Sequence, residues 1–230
     1  SNVLNLSNEE TVKAHVSLRD FSQDQFLIMT TKDGIVKKSK LEDYSRPRTN
    51  GIIAINLKGK DELISVHTSS GEDEILISTK MGQAVRFKEE KVRSVGRNSM
   101  GVKGITLKDK DSVVSSEVIK EEGVKILTVT ENGFGKRTEV SKYRLTSRGG
   151  KGVTTLKITD KTGLIVNAFQ TGNEDDIVLL SSAGKATRLK TSDISIIGRA
   201  TQGVRLMKVG EDIKVVAVAK ITEKENEWYF

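Results

Sequence analysis

Several absences narrow what this chain can be. It contains no cysteine, which excludes disulfides and thiolate metal sites and is typical of a reducing compartment. No apolar run approaches the ~20 residues that a membrane span requires, and no signal-peptide pattern is visible at its start. Aromatic residues make up only 4% of the chain, too few for a ladder of rings on which single-stranded bases stack. The sequence therefore indicates a globular protein.

Motifs for catalysis, metals and nucleotides are also missing. The two histidines, His15 and His67, lack the spacing of metal ligands. Gly96 to Gly101 and Gly198 to Gly203 have the glycine spacing of a P-loop, but neither continues with Lys-Ser/Thr or a predicted helix. No GxSxG nucleophile motif occurs. We therefore expect no catalytic residue, no metal and no cofactor in this chain.

Glycine, in contrast, is plentiful and periodic. One series of four glycines is spaced by 48, 51 and 51 residues, and a second series by 50, 51 and 51: Gly34, Gly82, Gly133 and Gly184; Gly51, Gly101, Gly152 and Gly203. Such a period is the signature of a repeat architecture. It predicts one domain over 1–230 with four repeats, 26–73, 74–123, 124–175 and 176–224, a partial repeat at 1–25 and a tail at 225–230.

Each repeat carries four short strand signals. In the first repeat they are Phe26–Thr31, Ile35–Ser39, Ile52–Leu57 and Glu62–Thr68, and a tight hairpin loop joins the first two. Helical periodicity is not sustained over a dozen residues anywhere. The pattern predicts an all-β, propeller-like fold with four-stranded blades of about 50 residues. A pair of β-sandwiches is the alternative, which the unbroken period disfavours.

Charge is segregated in the same way in every repeat. The segments 35–50, 83–100, 134–151 and 185–202 together carry +14, whereas the whole chain carries +7. Acidic residues cluster just before the first strand of a repeat, as in Glu72–Glu74, Glu121-Glu122 and Glu174–Asp176. Repeated basic segments predict a belt that suits the phosphates of a long polyanion. Scattered, solvated charges are the alternative.

The basic loops supply the candidate binding residues. Each loop combines a basic or loop-forming residue, a short link, a glycine and a β-branched residue, and the loop TSRGGKGV, Thr146 to Val153, shows this pattern most strongly.

Double-stranded DNA held by its backbone fits these loops better than single strands, and no element for base readout is visible. Tyr44 and Tyr143 are candidates to flank a phosphate contact. The predicted DNA-binding side chains are Lys37, Lys38, Arg46, Arg48, Arg86, Arg93, Arg97, Lys103, Lys136, Arg137, Arg144, Arg148, Lys151, Arg188, Arg199 and Arg205. The predicted loop glycines are Gly51, Gly101, Gly149, Gly150, Gly152 and Gly203, and a positive φ at Gly150 would make that position sensitive to substitution.

Four stretches, residues 44–66, 95–114, 128–158 and 198–209, closely resemble the C-terminal domain of the DNA gyrase A protein. The resemblance implies a β-pinwheel, a propeller-like disc whose blades exchange strands, and a basic rim that binds and bends duplex DNA. It implies that DNA wrapping supports negative supercoiling by the full enzyme in the bacterial cytoplasm, at the nucleoid. The remainder of gyrase A and the gyrase B protein would be the partners, and this chain alone would be a monomer. The family's catalytic tyrosine lies in another domain, so neither Tyr44 nor Tyr143 takes that role.

One departure from the family pattern concerns its signature heptad: Gln, two basic residues, Gly-Gly, a basic residue and Gly. Thr146 to Gly152 keeps Arg148, the three glycines and Lys151, but lacks the Gln and the first base. We expect the full heptad upstream of Ser1, and hence a partial or open ring of four complete blades. Two alternatives stay open: the equivalent domain of topoisomerase IV, and a propeller scaffold that binds acidic proteins.

Overall fold

The computed structural model describes residues 11–18, 20–21, 24–46, 48 and 51–221, and within them fifteen β-strands form four sheets. In chain order the strands are β1 (Phe26–Thr31), β2 (Ile35–Lys40), β3 (Leu63–Ser69), β4 (Glu74–Thr79), β5 (Gln83–Lys88), β6 (Val102–Lys103), β7 (Val113–Ile119), β8 (Lys125–Thr130), β9 (Phe134–Glu139), β10 (Val153–Thr154), β11 (Ile165–Thr171), β12 (Asp176–Ser181), β13 (Ala186–Lys190), β14 (Val204–Arg205) and β15 (Val215–Ile221). Short 3₁₀ turns follow the second strand of each repeat: Leu41–Tyr44, Glu89–Lys91, Val140–Lys142 and Thr191–Asp193.

The four sheets are the blades of the predicted all-β fold. Their strand orders are β3-β1-β2-β6, β10-β5-β4-β7, β11-β8-β9-β14 and β13-β12-β15, and we number them blades 1 to 4. Every paired strand is antiparallel to its neighbour, and each blade is built on a hairpin closed by a turn glycine, as at Gly34. The strands β3, β7, β11 and β15 pack against one another in chain order, so they form the inner edge of the blades. None of the helical segments in the described part of the chain is long and apolar enough to cross a membrane.

The outer strand of each of blades 1 to 3 is donated by the following repeat, whereas blade 4 has three strands within the described residues and no donated strand. Strand β6 belongs to the second repeat but pairs with β2 of blade 1, through Ile35 with Lys103 and Val36 with Val102. Strands β10 and β14 pair in the same way with β5 and β9. This exchange is the β-pinwheel arrangement that the resemblance implied. It places the loops before these strands at the outer rim.

The first repeat differs from the prediction at its third strand. Residues 51–57 form no strand, because the described residues include no earlier blade whose outer strand they could join. Ile52, Ala54 and Ile55 instead pack against the apolar cluster around Leu27 and Met29. More than half of the predicted partial repeat 1–25, most of the loop 47–50 and the tail 225–230 fall outside the described residues.

Apolar side chains fill the spaces between neighbouring blades. One cluster joins blades 1 and 2 through residues such as Ile28, Ile75 and Phe87, and similar clusters join the later blades. Strands buried on both faces need continuous apolar runs, as in Ile75–Ile77, rather than strict alternation. The packed blades hold the rim loops at fixed places.

Gly152 marks the point where a donated strand meets its acceptor. Its φ is +76°, and a Cβ there would lie 2.4 Å from the carbonyl oxygen of Ala84 in β5. Gly150, two residues earlier, has no left-handed φ, and a Cβ there would lie 3.8 Å from its nearest atom. The expectation of a backbone requirement at Gly150 is therefore wrong, and the requirement lies at Gly152.

We expect Gly152→Ala to lower the free energy of unfolding by about 2 kcal/mol, because the new side chain needs an unfavourable φ and collides with β5. Chemical denaturation measures the change. Gly150→Ala is the matched control and should remain within about 0.5 kcal/mol of the wild-type chain. Equal losses in both variants would contradict the assignment.

Candidate nucleic-acid interface

The outer rim is built from three equivalent crossing segments, residues 93–106, 144–157 and 195–208. Each begins beyond a 3₁₀ turn, runs along the outer edge of the preceding blade and ends just past its donated strand. A backbone hydrogen bond of 2.9 Å anchors each segment at the start of its path, from the amide of Val95 to Lys38, of Thr146 to Arg86 and of Ile197 to Arg137. The basic loops predicted from the sequence therefore lie in one repeated setting.

Arginine side chains join consecutive crossing segments. The guanidinium of Arg148 donates to the carbonyl of Lys91 at 2.8 Å and to that of Lys103 at 3.1 Å. The equivalent arginines also donate to backbone carbonyls of the preceding repeat: Arg199 to Lys142 at 2.6 Å and Thr154 at 2.8 Å, and Arg97 to Ile53 at 3.4 Å. Because guanidinium carries five N–H donors, each arginine retains donors for an anion outside the rim.

The glycine-rich loop is also held by the preceding segment. Thr106 donates its amide to Gly150 at 2.9 Å and its hydroxyl to Gly149 at 2.6 Å. In return the amide of Gly149 donates to Gly104 at 2.6 Å. The crossing segments of repeats 2 and 3 are therefore continuous along the rim.

Three of the predicted DNA-binding lysines, Lys37, Lys38 and Lys136, are buried. Lys37 and Lys136 are both 0% exposed. The ammonium of Lys37 donates to the carbonyls of Ala54, at 2.7 Å, and Arg97, and that of Lys136 donates to Gly198 and Arg199, each at 2.5 Å. Burial lowers the pKa of Lys37 and that of Lys136 to about 8. These side chains support the crossing segments from inside and do not face a phosphate.

The basic residues four positions after the turn glycines also have partners within the protein. The Lys38 ammonium lies 2.8 Å from the buried carboxylate of Glu89. Arg86 and Arg188 pair with Glu74 and Asp176, carboxylates on the neighbouring strands of their blades. Arg137 is buried and donates to the Ile194 carbonyl and the Asn173 amide oxygen, each at 3.0 Å. Arg188 stays exposed while it pairs with Asp176. The other three members of the series are held inside the blades, so for them the periodicity has a structural cause.

The rest of the predicted basic set is exposed or half-buried, and all of it except Arg46 and Arg48 lies in the crossing segments. Exposed side chains are Arg46, Arg48, Arg93, Lys103, Arg144, Lys151 and Arg205, and half-buried ones are Arg97, Arg148 and Arg199. Repeat equivalence relates Arg93 to Arg144 and Lys103 to Arg205. The Arg205 guanidinium lies 5.4 Å from the centre of the Phe134 ring, which orients it.

Tyr44 and Tyr143 do not flank a phosphate site, because both are buried. The hydroxyl of Tyr143 lies 2.6 Å from the hydroxyl of Thr155, and that of Tyr44 donates to the Ala54 carbonyl at 3.1 Å. Burial raises the pKa of both phenols. Both rings pack inward at the ends of the 3₁₀ turns, so neither is available to a phosphate.

One feature of the rim was missed from the sequence. Val85 stands where blades 1 and 3 have Lys37 and Lys136, so no ammonium from this position supports the loop Thr146–Gly152. A cavity of about 330 Å³ lies there instead, lined in part by Val85, Arg144 and Lys151. Comparing the third residue after each turn glycine would have shown that only repeats 1 and 3 have a lysine there, since repeat 2 has Val85 and repeat 4 has Thr187.

The acidic turns lie beside the 3₁₀ turns, as the hydrogen bond of 2.8 Å from the amide of Glu89 to the carbonyl of Asp73 shows. They connect an inner strand to the next blade, and Glu72, Asp73, Glu121 and Glu122 line a cavity of about 510 Å³ between blades 2 and 3. Acidic residues of neighbouring repeats therefore come together in the structure, and Arg86 and Lys120 line the same cavity.

We expect Lys136→Met to remove part of the pH dependence of stability. The pKa of Lys136 is lowered from 10.5 to about 8 in the folded chain, so between these values the unfolded chain binds more protons and stability rises with pH. Denaturant unfolding at several pH values in this window should show a shallower rise for the variant. Lys108→Met, which removes an exposed lysine, should keep the wild-type rise, and an unchanged slope for Lys136→Met would contradict the expectation.

We expect Arg148→Lys to lower the free energy of unfolding by about 1–3 kcal/mol, since an ammonium keeps the charge but cannot make both carbonyl contacts in the geometry of a guanidinium. Urea denaturation provides the measurement. Arg144→Lys is the control for the change in residue type at an exposed position. Should both variants unfold at the same urea concentration, Arg148 would not join the crossing segments.

Comparison with known proteins agrees with this architecture. The sequence profile of the family described as "DNA gyrase C-terminal domain, beta-propeller" matches residues 25–70, 73–120, 125–171 and 175–222. The DNA gyrase A protein of Staphylococcus epidermidis is 45% identical over 227 residues, which are 98% of this chain and 25% of the relative. The DNA gyrase A protein of Staphylococcus aureus strain MRSA252 is 44% identical over 228 residues, 98% of this chain and 26% of the relative. The chain thus spans about a quarter of the length of these relatives.

Solved structures show the same fold. The C-terminal domain of a DNA topoisomerase IV aligns with a TM-score of 0.88 at 27% identity, over 96% of this chain and 69% of that structure. The C-terminal domain of a DNA gyrase A aligns with a TM-score of 0.84 at 30% identity, over 95% of this chain and 73% of that structure. With its four profile matches, its donated strands and its basic crossing segments, this chain belongs to the DNA gyrase C-terminal domain family.

Proposed function

We propose that this chain binds duplex DNA along its outer rim, without base specificity, and bends it. The observation that carries the proposal is the placement of exposed cations at equivalent positions of joined crossing segments, Arg93 with Arg144 and Lys103 with Arg205. Regularly placed cations on a rigid support match the regular phosphates of a duplex. The described residues include no α-helix that could enter the major groove, so we expect sequence to matter little.

Contacts spread over several blades favour bent DNA. Smooth bending of a 20–30 bp site costs about 1–6 kcal/mol, which additional phosphate contacts can offset. The interior lysines and the arginine bonds keep the rim from deforming in place of the DNA. The cavity beside Val85 gives the loop around Arg148 and Lys151 room to adjust, so we assign it the most adaptable phosphate contact.

In its parent protein the chain would serve as the C-terminal domain of gyrase A, acting with the rest of that protein and with gyrase B at the bacterial nucleoid. It would wrap DNA to support ATP-dependent negative supercoiling, while catalysis takes place in other domains. Identity of 45% to a staphylococcal gyrase A protein supports this role. The topoisomerase IV domain remains the second candidate because of its TM-score of 0.88.

A supercoiling assay separates these two candidates. The parent protein, combined with ATP and its partner protein, should convert relaxed plasmid to the negatively supercoiled form if the domain is that of a gyrase. Relaxation and decatenation without any negative supercoiling would identify the topoisomerase IV role. Binding of the isolated chain to duplex DNA is expected in both cases.

We expect Arg144→Ala combined with Lys151→Ala to weaken duplex binding about equally across sequences and to reduce the slope of log K against log salt by about 1.8, or about 0.9 for each lost phosphate contact. Fluorescence anisotropy over a salt series measures both effects. Lys120→Ala, on the side of the acidic turns, should leave the slope unchanged.

Two outcomes would overturn the proposal. One is a flat salt response of the wild-type chain, and the other is a loss confined to a single DNA sequence. If duplex DNA fails to bind while acidic proteins do, the rim belongs to a protein-binding scaffold.

A further inference from the structure

Four large apolar side chains of the crossing segments are exposed: Met100, Leu145, Ile196 and Val204. Of these, only Leu145 and Ile196 occupy matching positions of two repeats. Leu145 is 44% exposed and Ile196 is 45% exposed. Both stand seven residues before the second-series glycine of their repeat, and Ser94 holds the same position in the second repeat. Exposed apolar residues at matching positions of two blades call for an explanation beyond chance exposure.

The backbone beneath these residues is firmly held. Leu145 forms an isolated parallel bridge with Arg86, and Ile196 forms the same bridge with Arg137. The following amides, of Thr146 and Ile197, each donate to the carbonyls of these arginines at 2.9 Å. Because the Arg86 and Arg137 side chains are themselves bound to carbonyls within or beside the 3₁₀ turns, the support is rigid.

The surroundings indicate a polyanionic partner for these apolar side chains. Arg144 and Arg148 flank Leu145 in sequence, and Lys151 lines the same cavity as Arg144. An uncharged apolar surface of a protein or a lipid would leave these cations without neutralising charge. Duplex DNA presents phosphates to these cations and, in its minor groove, sugar faces and base steps that accept apolar side chains.

We propose that Leu145 and Ile196 are apolar wedges that enter the minor groove of the bound duplex and localise its bend at two neighbouring blades. The inference rests on DNA binding by the rim and adds a contact that does not depend on charge. Partial unstacking at a wedge replaces smooth bending by local kinks. The residues that bend the DNA then differ from the cations that hold it.

The test compares Leu145→Ala combined with Ile196→Ala against the wild-type chain, using a duplex of random sequence labelled at both ends. Anisotropy should show about a tenfold loss of affinity, as expected for two half-buried apolar contacts, with the salt slope unchanged. Energy transfer between the end labels should show a smaller bend. Both side chains are exposed in the free chain, so the variant should keep the wild-type unfolding midpoint.

Two further variants sharpen the comparison. Ser94→Leu places a third apolar side chain at the equivalent rim position and should increase both affinity and bend. Val216→Ala truncates another exposed apolar residue, on the inner strand β15, and should change neither. A minor-groove ligand such as netropsin, bound to an A·T-rich duplex, should lower the affinity of the wild-type chain for that duplex more than it lowers the affinity of the double variant.

The outcomes separate the wedges from DNA binding itself. If the wild-type chain binds with steep salt dependence while neither the double variant nor Ser94→Leu alters affinity or bend, the wedge assignment is wrong and rim binding stands. If the wild-type chain fails to bind duplex DNA, the proposed function fails first. A change in salt slope in the double variant would show displaced phosphate contacts and would also overturn the wedge assignment.

Discussion

The structure depends on the pairing of each donated strand with the blade before it. Only two residues of β6, β10 and β14 pair in each case, yet they determine the path of the whole crossing segment. A short antiparallel strand pair is only marginally stable by itself. Hydrogen bonds to the rest of the crossing segment stabilise it. Carbonyls along the segment accept hydrogen bonds from interior lysines and from arginines of the next segment.

This arrangement explains why the basic composition of the repeats serves two purposes. Carbonyls in an irregular segment cannot all be satisfied by a sheet, and buried ones are costly when unpaired. Lys37 and Lys136 reach them from within the blades, whereas Arg148 and Arg199 reach them from the rim. Some of the basic side chains therefore stabilise the rim through hydrogen bonds to carbonyls, and the others are exposed on its surface.

The rim loop richest in glycine is also the exception in its interior support. Val85 replaces the supporting lysine beneath Thr146–Gly152. The loop is held from one side by Thr106 and Arg148 while a cavity lies on the other. Free space beside this loop suits the proposed contact with a continuous, curved ligand.

The period, the hairpins and the blade architecture could be predicted from the sequence, because turn glycines and short β-rich runs act locally. The basic loops could be located in the same way. Which cations are exposed could not be predicted: Lys37 and Lys38 are adjacent in a strand, and each has a partner in the next repeat, Arg97 and Glu89 respectively. The absence of a strand at residues 52–57 likewise became clear only in three dimensions, since a strand there requires an edge on another blade. One physical reason covers both cases: burial and pairing depend on groups that the neighbouring repeat supplies.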